Sequence, residues 1–310
     1  MPEIQSIPPL TIPSWVMMDQ RFRFKDPGSF RADGETSAET MDGNGRPVRV
    51  SFDLQAPPGS SRLCLHCPVE REPSWWDIVV ASHGDAVLFR IEVEFDGNPF
   101  VREHTLDYFI YRASSSARSK LTLLPRSYFT EAEIMEPVAE DVDFWRRNWR
   151  MVNSSYIGLL TDEQEFVVAE LYISGAADEA APLEAPLFRL HSSPGAMNGG
   201  GGQWELTIAK NRDGKVRFKD VLGWQTHKVV PFTSYSYLCW VDYNRGVLFC
   251  DVFNNTPQLQ YLQLPIDDDG PHMDYPTEAK PSSLSELTTA KGPHALTATT
   301  ALLSPSACGR

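Results

Sequence analysis

The stretch Leu238-Cys239-Trp240-Val241-Asp242, then Tyr243-Asn244-Arg245, then Gly246-Val247-Leu248-Phe249-Cys250-Asp251-Val252 decides the fold. Two short runs rich in aliphatic and aromatic residues flank a polar turn holding Asn and Gly, the composition of two strands joined by a tight reversal. The same frame stands earlier as Ile157-Gly158-Leu159-Leu160, a polar turn, and Phe166-Val167-Val168-Ala169-Glu170-Leu171. The two copies align without a gap, placing Tyr156 on Tyr237, Phe166 on Val247 and Glu170 on Asp251. A further copy precedes them at nearly the same spacing: Ile78-Val79-Val80-Ala81, Ser82-His83-Gly84-Asp85, then Ala86 to Ile91. Evenly spaced copies of one supersecondary unit mark a repeat architecture.

Shorter strand signals fill the gaps. Asp107 to Tyr111 and Leu121 to Leu124 follow the first hairpin; Pro186 to His191 and Gln203 to Ile208 follow the second. A hairpin plus two strands makes a four-stranded antiparallel unit, so the expected fold is mainly β, with β-propeller-like repeated four-stranded units. An ordinary antiparallel sandwich with look-alike hairpins is the alternative. Upstream, Val48, Val50, Phe52 and Leu54 alternate with polar residues as in a half-buried strand, and Ser61 to His66 reads as its return. Residues 26–47, with four glycines and almost no apolar period, read as a long loop. Residues 131–151 carry loose helical spacing broken by Pro137, which predicts a short helical insertion.

Composition sets the outer limits. The chain has 310 residues, 42% apolar and 22% charged, which excludes wholesale disorder. Its 24 prolines argue against long helices. A net charge of −13 opposes a nucleic-acid binder, whose affinity comes from neutralising phosphates. The start Met1-Pro2-Glu3-Ile4-Gln5 lacks the basic and apolar regions of a secretory signal, and no stretch is apolar enough to cross a membrane as a helix. Five cysteines, an odd number, suit reduced thiols, so the expected location is cytosol or nucleus and the sequons at Asn153 and Asn254 read as chance. The organisation expected is an extended lead-in over 1–14, a β-rich domain over 15–265, and a tail over 266–310 that lacks tryptophan and stays unfolded.

No motif assembles a catalytic set. Cys64-Leu65-His66-Cys67 has no second ligand pair to complete a structural zinc site and lies on an expected strand, so its thiols read as packing residues. His83-Gly84-Asp85 fills a hairpin turn, and the glycine run Gly199 to Gly202 lacks the Gly-Lys-Ser/Thr ending that cradles phosphate. Asp267-Asp268-Asp269 lacks the spacing of a calcium loop. No cofactor or metal is therefore expected. Trp145, Arg146, Arg147, Trp149 and Arg150 interleave aromatics with guanidinium groups, which makes a weak candidate patch for an acidic protein surface; anchoring of the insertion to the sheet is the plainer reading.

A family resemblance rests on Ser14 to Asp19, Val50-Ser51-Phe52, Ser61 to His66, Val79 to Arg90, Asp107 to Tyr111, Glu165 to Leu171 and the Leu238 to Val252 hairpin. In combination these resemble the plant domain of unknown function 1618 family, expanded in grasses, from about Trp15 to Pro265. The Trp-Val-Asp…Gly…Cys-Asp signature also resembles the propeller domain that follows F-boxes in ubiquitin-ligase adaptors. The family brings no established catalytic residues or cofactor. Its members continue with strand-rich sequence past the position of Leu264-Pro265, so the resemblance implies a shortened chain and raises a truncated, non-functional paralogue as one alternative.

The expectation is a non-enzymatic protein-interaction module with an unidentified protein partner, and neither nucleic acid nor membrane. Trp240, Asp242, Gly246 and Asp251 are expected to act structurally: Trp240 in sheet packing, Asp242 and Gly246 in the turn, Asp251 as a backbone acceptor. The rival is a hydrolase with His83 or Asp242 at its site, which requires His83, Asp85, Asp242 and Asp251 to converge in one pocket.

Overall fold

The computed structural model describes residues 15–32, 36–67, 73–93, 105–114, 118–127, 153–162, 165–173, 179–192, 202–232, 236–265 and 299–301. The expected helical insertion, the patch Trp145 to Arg150, the glycine run from Gly199 to Gly201 and the Asp267 turn lie outside these residues.

The chain is mainly β and largely antiparallel. The first sheet holds β1 (Val16–Met18), β2 (Arg23–Lys25), β3 (Ala38–Met41), β4 (Pro47–Asp53) and β5 (Ser60–His66). The second is a four-stranded meander of β6 (Ile78–His83), β7 (Ala86–Val93), β8 (Thr105–Arg112) and β9 (Lys120–Leu123). Two further meanders follow: β10 (Ile157–Thr161), β11 (Phe166–Leu171), β12 (Glu184–His191) and β13 (Trp204–Asn211); then β14 (Lys228–Phe232), β15 (Tyr237–Asp242), β16 (Gly246–Cys250) and β17 (Gln258–Gln263). Within the tail, β18 (Thr299–Ala301) lies antiparallel to β1.

The repeated hairpins are β6–β7, β10–β11 and β15–β16, and each joins a four-stranded antiparallel unit. Two details differ from the sequence reading. In the last unit the hairpin is the central pair, because β14 precedes it. Pro231 obscured β14, since proline lacks a ladder donor; it is tolerated because β14 ends its sheet. Residues 26–47 are not one loop, because Ala38–Met41 pairs with β4. The propeller-like reading also goes no further than the units themselves. The last two are a single eight-stranded sheet, joined where Lys210 and Asn211 of β13 run parallel to Gln258 and Leu259 of β17. Buried Arg189 of β12 clamps the same seam, donating from Nη1 to the carbonyls of Val252 (2.7 Å) and Asn254 (2.5 Å).

Alternation along the strands explains the stacking, since successive residues point to opposite faces. On β7, Val87, Phe89, Ile91 and Val93 pack toward the first sheet with Val50, Leu63 and Leu65. Ala86 and Leu88 point the other way, onto Ile157, Leu159, Val168 and Phe188. On β11, Val167, Ala169 and Leu171 leave that second core and pack with Leu238, Trp240 and Leu248 of the next unit. The first sheet and the three meanders therefore follow one another in chain order around three separate cores.

The leading strands of the three meanders meet at one place. β10 packs against β6 on one side and against β14 and β15 on the other, which brings the two ends of the eight-stranded sheet together and nearly closes it. Gly158 makes this approach possible, because a Cβ there would lie 2.6 Å from Val229 Cγ1 and 2.9 Å from Leu238 Cδ1. Val229 is β-branched and Leu238 is fully buried, so neither can easily swing aside. Gly158→Ala is expected to lower stability by about 1–3 kcal/mol, read as a lower denaturant midpoint with an unchanged slope; an unaltered midpoint would show that β10 and β14 do not pack this closely.

Candidate functional site

Where β6, β10 and β14 converge, they enclose a cavity of about 650 Å³. Ile78, Val80, Ile157, Leu159, Val229 and Val230 supply much of its apolar wall. Its mouth is built by the turn Ser74-Trp75-Trp76-Asp77, which the sequence reading passed over. Asp77 is buried and holds the turn: its carboxylate accepts the Ser74 N–H (3.0 Å) and the Glu92 N–H (2.8 Å). The Ser74 hydroxyl accepts from the Trp76 N–H at 3.2 Å and donates to Glu92.

Each tryptophan of this turn carries an arginine. Arg21 stands over the Trp75 ring, 5.0 Å from its centroid, and its Nη1 donates to the Trp75 carbonyl at 3.2 Å. Arg90 stands over Trp76 at 5.2 Å, and its Nε donates to the Trp76 carbonyl at 3.2 Å. Such cation–π contacts contribute about 0.5–2 kcal/mol, most where water is excluded. Arg90 is only 3% exposed and also donates from Nη1 to the Tyr108 hydroxyl at 3.1 Å. Burial pushes the Tyr108 hydroxyl pKa up to about 12 against the opposing pull of Arg90, so the phenol stays neutral. Trp75 is 76% exposed.

The signature residues stand behind the opposite wall. Asp242, at the end of β15, is fully buried. Its Oδ1 accepts the Asn244 N–H (2.9 Å) within the β15–β16 turn, and its Oδ2 accepts the Gln225 N–H (2.9 Å) from the segment leading into β14. Arg245 Nη1 lies 3.4 Å from Oδ2 and His227 Nδ1 lies 3.6 Å from Oδ1. Asp242 thus ties the turn to the segment that delivers His227 and Lys228 to the cavity. Gly246 closes the turn, where a Cβ would strike the Leu262 carbonyl and the Tyr261 ring. Trp240 is fully buried, and its Nε1 donates to the Tyr156 carbonyl at 2.8 Å, linking β15 to the start of β10. Asp251 accepts the Gln258 N–H (2.6 Å) and the Asn254 side-chain amide (3.2 Å) at the entry to β17.

The four residues required by a hydrolase do not converge. His83 and Asp85 share the β6–β7 turn, while Asp242 stands at the β15–β16 turn and Asp251 after β16, and none of the four lines the cavity. His83 Nδ1 accepts the Thr161 N–H at 2.9 Å, and Asp85 pairs with Arg112 at 3.0 Å. Cys64 and Cys250 are buried free thiols; burial pushes the Cys239 thiol up to about 12 and raises that of Cys250, which makes both poor nucleophiles. Among the described residues no group of His, Cys, Asp or Glu could hold a metal ion, and no helix is long and apolar enough to cross a membrane.

With this geometry in view, the comparisons with known proteins become interpretable. Residues 240–293 match the family model described as "Protein of unknown function (DUF1618)". The family resemblance read from the sequence is thereby supported. All four signature residues fall inside the matched segment, while Gln225, His227 and Tyr156, which contact Asp242 and Trp240, lie before it. No curated protein and no solved structure matches the chain.

The histidines set an acid limit on the fold. Burial lowers the pKa of His83, with Asp85 acting in the opposite direction, and burial lowers that of His66. Both prefer the neutral form when folded, so the unfolded chain binds protons first as pH falls below about 6.5. The stability they contribute is present above that pH and is lost as pH falls toward their folded values. The melting temperature is expected to drop between pH 7.5 and pH 5, and His83→Gln should flatten that drop; an equally steep loss in the variant would remove His83 as a cause.

Proposed function

We propose that this protein is a non-enzymatic interaction module of the cytosol or nucleus that engages a protein partner at the mouth of the cavity. The observation that carries this reading is Trp75, 76% exposed on a turn held rigid by Asp77, with Arg21 stacked over its ring. Tryptophan and arginine are the residue types that most often dominate interface energetics, particularly where a fixed framework removes the cost of ordering them. An indole left in water forgoes the transfer free energy of a large apolar surface, about 25 cal/mol per Å². A partner that covers it recovers that energy. The four described cysteines are free thiols, which supports a reducing compartment. The separation of His83 and Asp85 from Asp242 and Asp251, with none of them lining the cavity, supports binding over hydrolysis.

The test is photo-crosslinking from a probe placed beside Trp75, at Pro73, in lysate of the producing cells. A discrete protein adduct is expected with the native turn, reduced at least about tenfold by Trp75→Ala, since hot-spot truncations cost about 2 kcal/mol or more. The absence of any adduct, or an adduct indifferent to Trp75→Ala in a variant that melts normally, would overturn the reading.

A further inference from the structure

β13 outruns the strand on its outer side. It pairs with β12 from Trp204 to Lys210, but β17 joins its other side only at Lys210 and Asn211. Three backbone bonds fix which way its residues point. Lys210 donates its N–H to the Pro257 carbonyl on the β17 side (3.2 Å), and Asn211 donates to the Leu183 carbonyl on the β12 side (3.1 Å). Pro186, opposite Ile208, gives its carbonyl to the Tyr172 N–H on the far side of β12 (3.0 Å). Backbone direction alternates along an antiparallel pair. Trp204, Leu206 and Ile208 therefore turn their N–H and C=O groups away from β12, and among the described residues no strand meets them there.

The side chains of the same stretch are a second, independent feature. Leu206 and Ile208 are each 44% exposed, so backbone and apolar surface are both left open at one place. Native proteins blunt open edges with proline, lysine, a bulge or a covering segment. Elsewhere this protein does so: β14 carries Pro231, β18 lies on β1, and β3 packs against β9. From Trp204 to Ala209 there is neither lysine nor proline, and the register with β12 runs unbroken.

We propose that the open edge of β13 accepts an extended segment of a partner protein as an added strand, with alternate apolar side chains laid beside Leu206 and Ile208. The free amides and carbonyls supply affinity that is indifferent to sequence, and the two exposed side chains select for apolar residues at every second position. A second copy of this chain fits the edge less well. Two-fold pairing centred on Leu206 would set Gly202 opposite Lys210 of the copy, where Pro257 and Gln258 of that copy already stand. A short segment ends before that obstacle. The edge lies mid-sheet, apart from the cavity between the two ends of the sheet, and so stands independent of Trp75.

Amide hydrogen exchange of the full chain, with and without the peptide Lys-Val-Thr-Val-Thr-Val-Lys, tests this. In the free protein the Leu206 and Ile208 amides are expected to exchange fast beside protected Thr207 and Ala209, which face β12. The peptide should bind with a Kd on the order of 100 µM. At roughly ten times that concentration it should slow Leu206 and Ile208 about tenfold. The scrambled Lys-Thr-Thr-Val-Val-Val-Lys should bind about fivefold more weakly or worse. N-methylation of the valine amides blocks an antiparallel strand and N-methylation of the threonine amides a parallel one, so one of the two peptides should lose binding. Ile208→Pro removes an edge N–H without costing a bond to β12. It should weaken the peptide about tenfold in a protein that melts near the native temperature, whereas Thr207→Pro should melt far lower. If Ile208→Pro fails to fold, the methylated peptides on the native chain decide. No binding at millimolar peptide, binding that tolerates both methylated sets, or Leu206 and Ile208 amides already protected in the free monomer would overturn the proposal. Protection that rises with protein concentration alone, with a dimer in sedimentation, would assign the edge to a second copy and overturn it too.

Discussion

The two middle four-stranded units in this protein have to bury both of their faces, and the rest of the architecture follows from that constraint. β7 and β11 carry apolar side chains on alternate positions in both directions, so neither unit can be satisfied by one neighbour. Stacking in chain order solves the problem with three cores instead of one. It also forces the leading strands β6, β10 and β14 toward a common place, where Gly158 gives up its side chain so that β10 can reach β14. The cavity is the space left where the leading strands of three four-stranded units, two of them parts of one sheet, converge.

Polar groups within this framework act mainly as clamps between segments distant in sequence. Arg189 fastens β12 to the chain after β16, Asp242 fastens the β15–β16 turn to the approach to β14, and Asp77 fastens the tryptophan turn to β7. Buried charges of this kind are tolerated because several hydrogen bonds replace lost water, and removal of one partner leaves the others stranded. The signature residues therefore shape the cavity wall from behind. Asp242 never touches the cavity, yet it sets the path by which His227 and Lys228 reach it.

Much of the fold was legible in the chain. The strands at 47–53, 60–66, 78–83, 86–93, 157–161 and 166–171 announce themselves through apolar runs bounded by turn residues, and the constant offset between hairpins exposes the repeat. β14 was hidden by Pro231, which reads as a breaker unless the strand is known to be an edge. The parallel contact between β13 and β17 leaves no local trace, because two paired residues impose no periodicity. The candidate site was the least legible part. Arg21, Trp75, Ser82, Arg90 and Lys228 are scattered through the sequence, and the tandem Trp75-Trp76 was its one visible signal.

The sequence by itself determined the β class, the hairpin repeat, the four-stranded units and the hairpin that carries Trp240, Asp242, Gly246 and Asp251. These are properties of spacing and local turn chemistry, which act over a few residues. Only the tertiary structure decided that the last two units share one sheet, that the signature residues are clamps, and that Arg21, Arg90 and Lys228, far apart in sequence, line one cavity. Those outcomes depend on which faces meet, and the choice is made by packing between strands far apart along the chain.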